Sequence, residues 1–180
     1  MTFTAVEATT LTLKQNGGIA PHKLLKSTDG VTWTKWENPS TNGIPLNAGE
    51  SVYIKADADA LYRTATDKTV YNCFYSTGRI VCSGDVRSIV KLVAPGNYTY
   101  WFNRLFYQCD KLTTVQELPE TSLVDYCYHQ MFSNCTSLTS APELPATNLA
   151  SYCYDSMFVG CGALTSAPEL PATNLASYCY

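Results

Sequence analysis

Eight cysteines, two histidines, fifteen carboxylates and thirteen tyrosines are the side chains through which this chain of 180 residues could do chemistry. A zinc site wants a closely spaced Cys or His pair, repeated once. No Cys-x-x-Cys exists, and His22 and His129 stand alone, so no metal site is expected. A nucleophile, a base and an orienting group do not assemble either. There is no Gly-rich phosphate loop, Ser elbow or paired-carboxylate motif, and neither catalytic residues, a cofactor nor enzyme activity is expected. His129 has Asp155 as its counterpart 26 residues on, which marks a variable, solvent-facing position.

Six of the cysteines fall into two columns of period 26: Cys109, Cys135, Cys161 and Cys127, Cys153, Cys179. On a helix Cys127 and Cys135 are ~12 Å apart, beyond the ~7 Å reach of a disulfide. Bridges between successive units would have to skip or alternate, because each column repeats one residue. The columns therefore read as a structural ladder of small, buried, reduced thiols. Cys73 and Cys82 lie outside the columns and flank Ser76-Thr77-Gly78-Arg79. If Thr77-Gly78 is a two-residue hairpin loop, the two cysteines face each other across it. They are then a candidate disulfide, the other reading being two thiols packed as ordinary apolar groups.

These columns belong to an internal repeat. Leu138 to Tyr154 and Leu164 to Tyr180 are the same seventeen letters, LTSAPELPATNLASYCY, and Leu112 to Ser137 is a divergent copy. A fixed period of this size predicts a solenoid whose units bury their apolar faces only by stacking. Within a unit, Thr147 or Asn148 is placed to cap a helix, on which Leu149, Cys153 and Met157 share one face with Tyr152 beside them. Asn134 and Gly160 are suited to the left-handed residue that closes it. Leu138 to Ala141 is left as a short strand, stopped by Pro142 and Pro145. Strand, proline corner and a helix of roughly three turns make the α/β leucine-rich-repeat plan.

Upstream, short alternating segments read as strands: Thr2 to Val6, Thr10 to Lys14, Lys23 to Leu25, Val31 to Trp36 and Val52 to Lys55. Asn16-Gly17-Gly18, Thr28-Asp29-Gly30, Asn42-Gly43 and Asn47-Ala48-Gly49 separate them, which predicts an all-β, immunoglobulin-like sandwich. Residues 1–70 are expected to form this sandwich, 71–108 a linking hairpin and degenerate capping repeat, and 109–180 the repeats, stopping within a unit and continuing in the natural protein. Ser27 to Trp33 is similar to the Asp-box of sialidases, but is one residue short and occurs once. It reads as a turn in which Asp29 binds backbone amides and Trp33 packs beneath.

Charge narrows the partners. Residues 1–111 hold all twelve Lys and Arg against nine Asp and Glu, a balance of +3, whereas residues 112–180 hold none against six carboxylates, −6. That surface repels phosphate backbones and anionic lipids, so nucleic acid is not an expected partner of the C-terminal part. No apolar run reaches the ~18–20 residues of a membrane span, no membrane insertion is expected, and no signal segment follows Met1.

Met131-Phe132-Ser133-Asn134-Cys135-Thr136-Ser137-Leu138, repeated from Met157 to Leu164, resembles the BspA-like leucine-rich repeats of bacterial surface proteins. It differs in having Met for the usual Ala and a longer unit. The resemblance covers roughly residues 105–180 and implies a non-enzymatic adhesion scaffold of gut bacteria or their phages. On the repeat, Tyr128, Tyr154 and Tyr180 are expected to form an outward column beside core-facing Tyr126, Tyr152 and Tyr178. The other reading has both columns filling space between units. With Thr139, Glu143 and Glu169, the outward column makes the candidate ligand-binding set, suited to sugar rings or protein contacts. Glu117, Glu143 and Glu169 form a solvated acidic stripe. The expected function is recognition of a cell-surface glycan or protein, at a bacterial surface or on a virion as a phage tail or fibre component, with other virion or surface proteins as further partners. The alternative is a structural spacer whose repeats set length.

Overall fold

The computed structural model describes residues 1–16, 24–57, 71–89, 100–116 and 118–180; the Gly17-Gly18 turn, Lys23, Val90 and Glu117 lie outside them. Among the described residues nine strands form two sheets. The first runs β4 (Thr34–Lys35), β3 (Leu24–Ser27), β6 (Ser51–Ala56), β1 (Thr2–Ala5), β8 (Ile80–Ser83), β9 (Leu112–Val115). The second runs β5 (Ile44–Leu46), β2 (Thr9–Asn16), β7 (Tyr71–Ser76). Period-two alternation sends Phe3 and Ala5, Leu11 and Leu13, and Val52 and Ile54 inward. The sheets meet through Phe3 and Phe74, whose ring centroids are 4.8 Å apart. Pro45 sits on β5, an edge strand, where a missing amide costs no ladder bond.

Residues 71–83 do not form the expected hairpin. β7 pairs with β2 in one sheet and β8 with β1 in the other, so Cys73 and Cys82 are not opposite each other, and both are free thiols. The turn between them is tied instead to the start of β2: the Gly78 amide donates to Thr9 Oγ1 at 2.7 Å and the Thr10 amide to Thr77 Oγ1 at 2.9 Å. A side chain at position 78 would collide with the Ala8 carbonyl, so glycine lets the chain cross from sheet to sheet here.

The predicted helix in each unit is also corrected. Among the described residues the sole helical element is a single 3-10 turn, Val86–Ile89. In 100–108, 126–134 and 152–160 the chain is a succession of four-residue turns. A left-handed residue recurs every fourth position: Tyr100, Arg104, Gln108; Tyr126, Gln130, Asn134; Tyr152, Ser156, Gly160; Tyr178. One set of amides bonds three residues back, as Leu105 does to Phe102. The alternate set donates sideways to the next unit: Phe102 to Cys127, Arg104 to His129, Phe106 to Met131, then Tyr128 to Cys153 and Phe132 to Met157. An amide used between units cannot also close a helical turn. The spacing of Leu149, Cys153 and Met157 fits this arrangement better than a helix, since a period of four drifts around a 3.6-residue helix and stays fixed in a four-residue turn.

The sheets and the stacked units share one core. β8 pairs in parallel with β9, and the Phe74 amide donates to Leu105 O at 2.8 Å, so each sheet hands its hydrogen bonding to the first unit. The Thr139 amide then donates to Thr113 O at 3.1 Å, carrying the parallel register to the next unit. Phe3 and Phe74 meet Phe106 at 6.2 and 6.0 Å, and Phe106, Phe132 and Phe158 continue as a near-parallel stack at 5.5 and 5.7 Å.

Candidate functional site

Turn geometry decides which side chains face water. In the turns that begin at Tyr126 and Gln130 the left-handed residue is partly exposed and the two residues after it point in, so Cys127 and Tyr128, and Met131 and Phe132, are buried. The expected tyrosine assignment is therefore inverted. Tyr128 and Tyr154 are 0% and 3% exposed and stack at 5.7 Å inside the core, where burial pushes both phenols up. Tyr180, the next in that column, is 42% exposed.

The outer column is Tyr100, Tyr126, Tyr152 and Tyr178. Their rings stack face to face with centroids 4.8, 4.6 and 4.8 Å apart and planes within about 21° of parallel. Desolvation by its neighbours, followed by the adjoining Tyr126 and Tyr178 phenols, pushes Tyr152 upward, as expected of hydroxyls held in a close row. Tyr100 was outside the expected repeat, yet it stands 26 residues before Tyr126. That spacing was the available signal.

The remaining expected site residues lie elsewhere on the stack. Thr139 is exposed, and its hydroxyl joins its amide on Thr113 O at 3.2 Å. Glu143 and Glu169 are exposed on successive units and border a shallow recess of about 240 Å³ lined also by Pro142, Pro145, Pro168 and Pro171. No tyrosine of the row lines that recess.

His129 is buried, not solvent-facing. It lies in a polar column with Asn103 and Asp155: Nδ1 is 2.9 Å from Asn103 Oδ1 and Nε2 is 3.2 Å from Asp155 Oδ2. The three positions are 26 apart, so this column ties three successive units. The cysteine columns are buried and reduced. Cys135 and Cys161 thiols donate to the carbonyls of Phe106 and Phe132 at 3.0 and 3.1 Å. Burial pushes Cys73 to about 11 and Cys82 and Cys109 to about 12, which suppresses the thiolate at neutral pH. Among the described residues, no group of three or more His, Cys, Asp or Glu could hold a metal ion. Nor is any helix among them long and apolar enough to cross a membrane.

In the Asp29 turn the carboxylate accepts from the Thr32 and Val31 amides at 2.7 and 2.8 Å and from Ser27 Oγ at 2.7 Å. These bonds, the Thr32 amide first, hold Asp29 well below the usual carboxylate range. The ring against Gly30 is that of Tyr53, while Trp33 carries the Lys55 ammonium 3.9 Å over its own ring. Comparison with protein-family models, curated proteins and solved structures found no match for the chain.

Proposed function

We propose that this chain is a non-enzymatic recognition module that holds a cell-surface glycan or protein, with the stacked units as the binding part and the two sheets, read as an immunoglobulin-like sandwich, as the cap that starts the stack. The observation that carries this is the outer tyrosine row. A bulky residue with a positive φ is uncommon and costs about 1–3 kcal/mol. Yet Tyr occupies that conformation in all four units, with φ from 51° to 73°. The two other left-handed columns vary freely: Arg104, Gln130, Ser156 and Gln108, Asn134, Gly160. Those columns accept Arg, Gln, Ser, Asn or Gly, whereas the Tyr column carries an aromatic ring in every unit and so lays a continuous row of phenols along the stack.

The likeness of Met131 to Leu138 and Met157 to Leu164 to BspA-like surface repeats supports a solenoid used for adhesion, at a bacterial surface or as a phage tail or fibre component. The continuous hydrogen-bond ladder and single core also favour a second reading, a stiff spacer that sets length. Whole-cell and glycan-array binding separates them. The recognition reading expects binding that falls when Tyr126 and Tyr152 are replaced by Asn, a residue that tolerates the left-handed backbone. A folded protein that binds no surface leaves the spacer.

A further inference from the structure

We propose that the row Tyr100, Tyr126, Tyr152, Tyr178 is a track for a linear, neutral polysaccharide lying parallel to the stack; this rests on the recognition role proposed above and names its ligand class. Inside the row the ring faces are closed, because each is covered by the next at 4.6–4.8 Å. A single sugar cannot lie on a face there, so what the row offers is ring edges and phenol oxygens. These recur at one fixed step, and the partner that can use every step equally is a polymer with a repeat of its own. A folded protein surface is aperiodic and would match one unit while missing the others.

Charge selects among polymers. Arg104, on the first unit, is held by Gln130 Oε1 at 2.7 Å and by the Tyr71 and Tyr107 rings; no Lys or Arg follows Lys111, the exposed Asp125 directly precedes Tyr126, and Asp155 is partly exposed beside the row. Uronate, phosphate and sulfate polymers are repelled by that surface. A neutral sugar chain offers hydroxyls to phenol oxygens and C–H groups to ring edges, and meets no such penalty.

The test is calorimetric titration of the full chain with β-linked glucose, xylose and mannose oligomers of increasing length, with polygalacturonate as the charged polymer. At least one neutral series should tighten about fivefold for each added sugar, one net hydrogen bond at a time, and level off once the row is spanned. Monosaccharides and polygalacturonate should not bind. Tyr126→Phe with Tyr152→Phe keeps the stack and removes two hydroxyls; it should weaken the longest oligomer about 25-fold with an unchanged unfolding midpoint. Glu37→Gln, at an exposed position of the sheet region, should bind as the parent does. Length-independent binding, tight polygalacturonate binding, or an unaffected Phe variant would overturn the track. If no series binds while the protein still adheres to cells through Tyr126 and Tyr152, the polysaccharide assignment fails and recognition stands; loss of both removes recognition as well.

Discussion

The sheets and the stacked units solve the same packing problem by opposite means. In the sheets, side chains alternate with a period of two and rings meet at an angle or pair with unlike rings, as Phe3 does with Phe74 at 45° and Trp36 does with Phe74. In the stack the period is four and like sits on like: Phe on Phe, Tyr on Tyr, Cys above Cys. Register in the sheets is set by many different contacts. In the stack it is set by columns of recurring rings and thiols and by the polar column Asn103, His129 and Asp155, with left-handed residues keeping the turns in phase. A change in the sheets is therefore felt locally, whereas a change in a column is felt by the units on both sides.

The largest effect should come where the two modes join. Phe106→Ala empties the contact between Phe3, Phe74 and Phe132 and should cost about 3–5 kcal/mol in urea unfolding, as one cooperative transition. Two transitions would mean the regions fold separately. Phe158→Ala, partly exposed at the far end of the same column, should cost about 1–2 kcal/mol. Gly160→Ala tests the phasing residues: its φ is 77° and a Cβ would meet the Asn134 side chain. A loss of about 1–2 kcal/mol is expected.

A smaller effect belongs to the sheet region. The Asp29 carboxylate has a lowered pKa, so the stability it contributes is complete above its ordinary value near pH ~3.9 and is lost as pH falls through the folded value. Thermal melts of Asp29→Asn should lie below the parent at neutral pH and converge with it in acid. The smallest effect is none: reductant should leave the unfolding midpoint unchanged, and iodoacetamide should label the eight thiols only after denaturation.

The sheet region was largely legible because alternation such as Phe3, Ala5 and Leu11, Leu13 states a strand outright. β5 was missed, since Ile44–Leu46 is three residues with a central proline. The stack was legible as a period and misread as a conformation. A four-residue spacing of apolar groups looks helical until the amides are counted, and the alternate bonds from Phe102 to Cys127 or Phe132 to Met157 join residues that no local pattern connects. The inverted tyrosines follow from that one misreading: on a turn with Tyr126 at positive φ, the next two residues go inward.

The central claim is that the surface row is Tyr126, Tyr152 and Tyr178 while Tyr128 and Tyr154 are core. Nitration of the native protein, mapped by mass spectrometry of its peptides, tests this directly. Modification of Tyr126, Tyr152 and Tyr178 with Tyr128 and Tyr154 protected is the predicted result. Modification of Tyr128 and Tyr154 with Tyr126 and Tyr152 protected would contradict it.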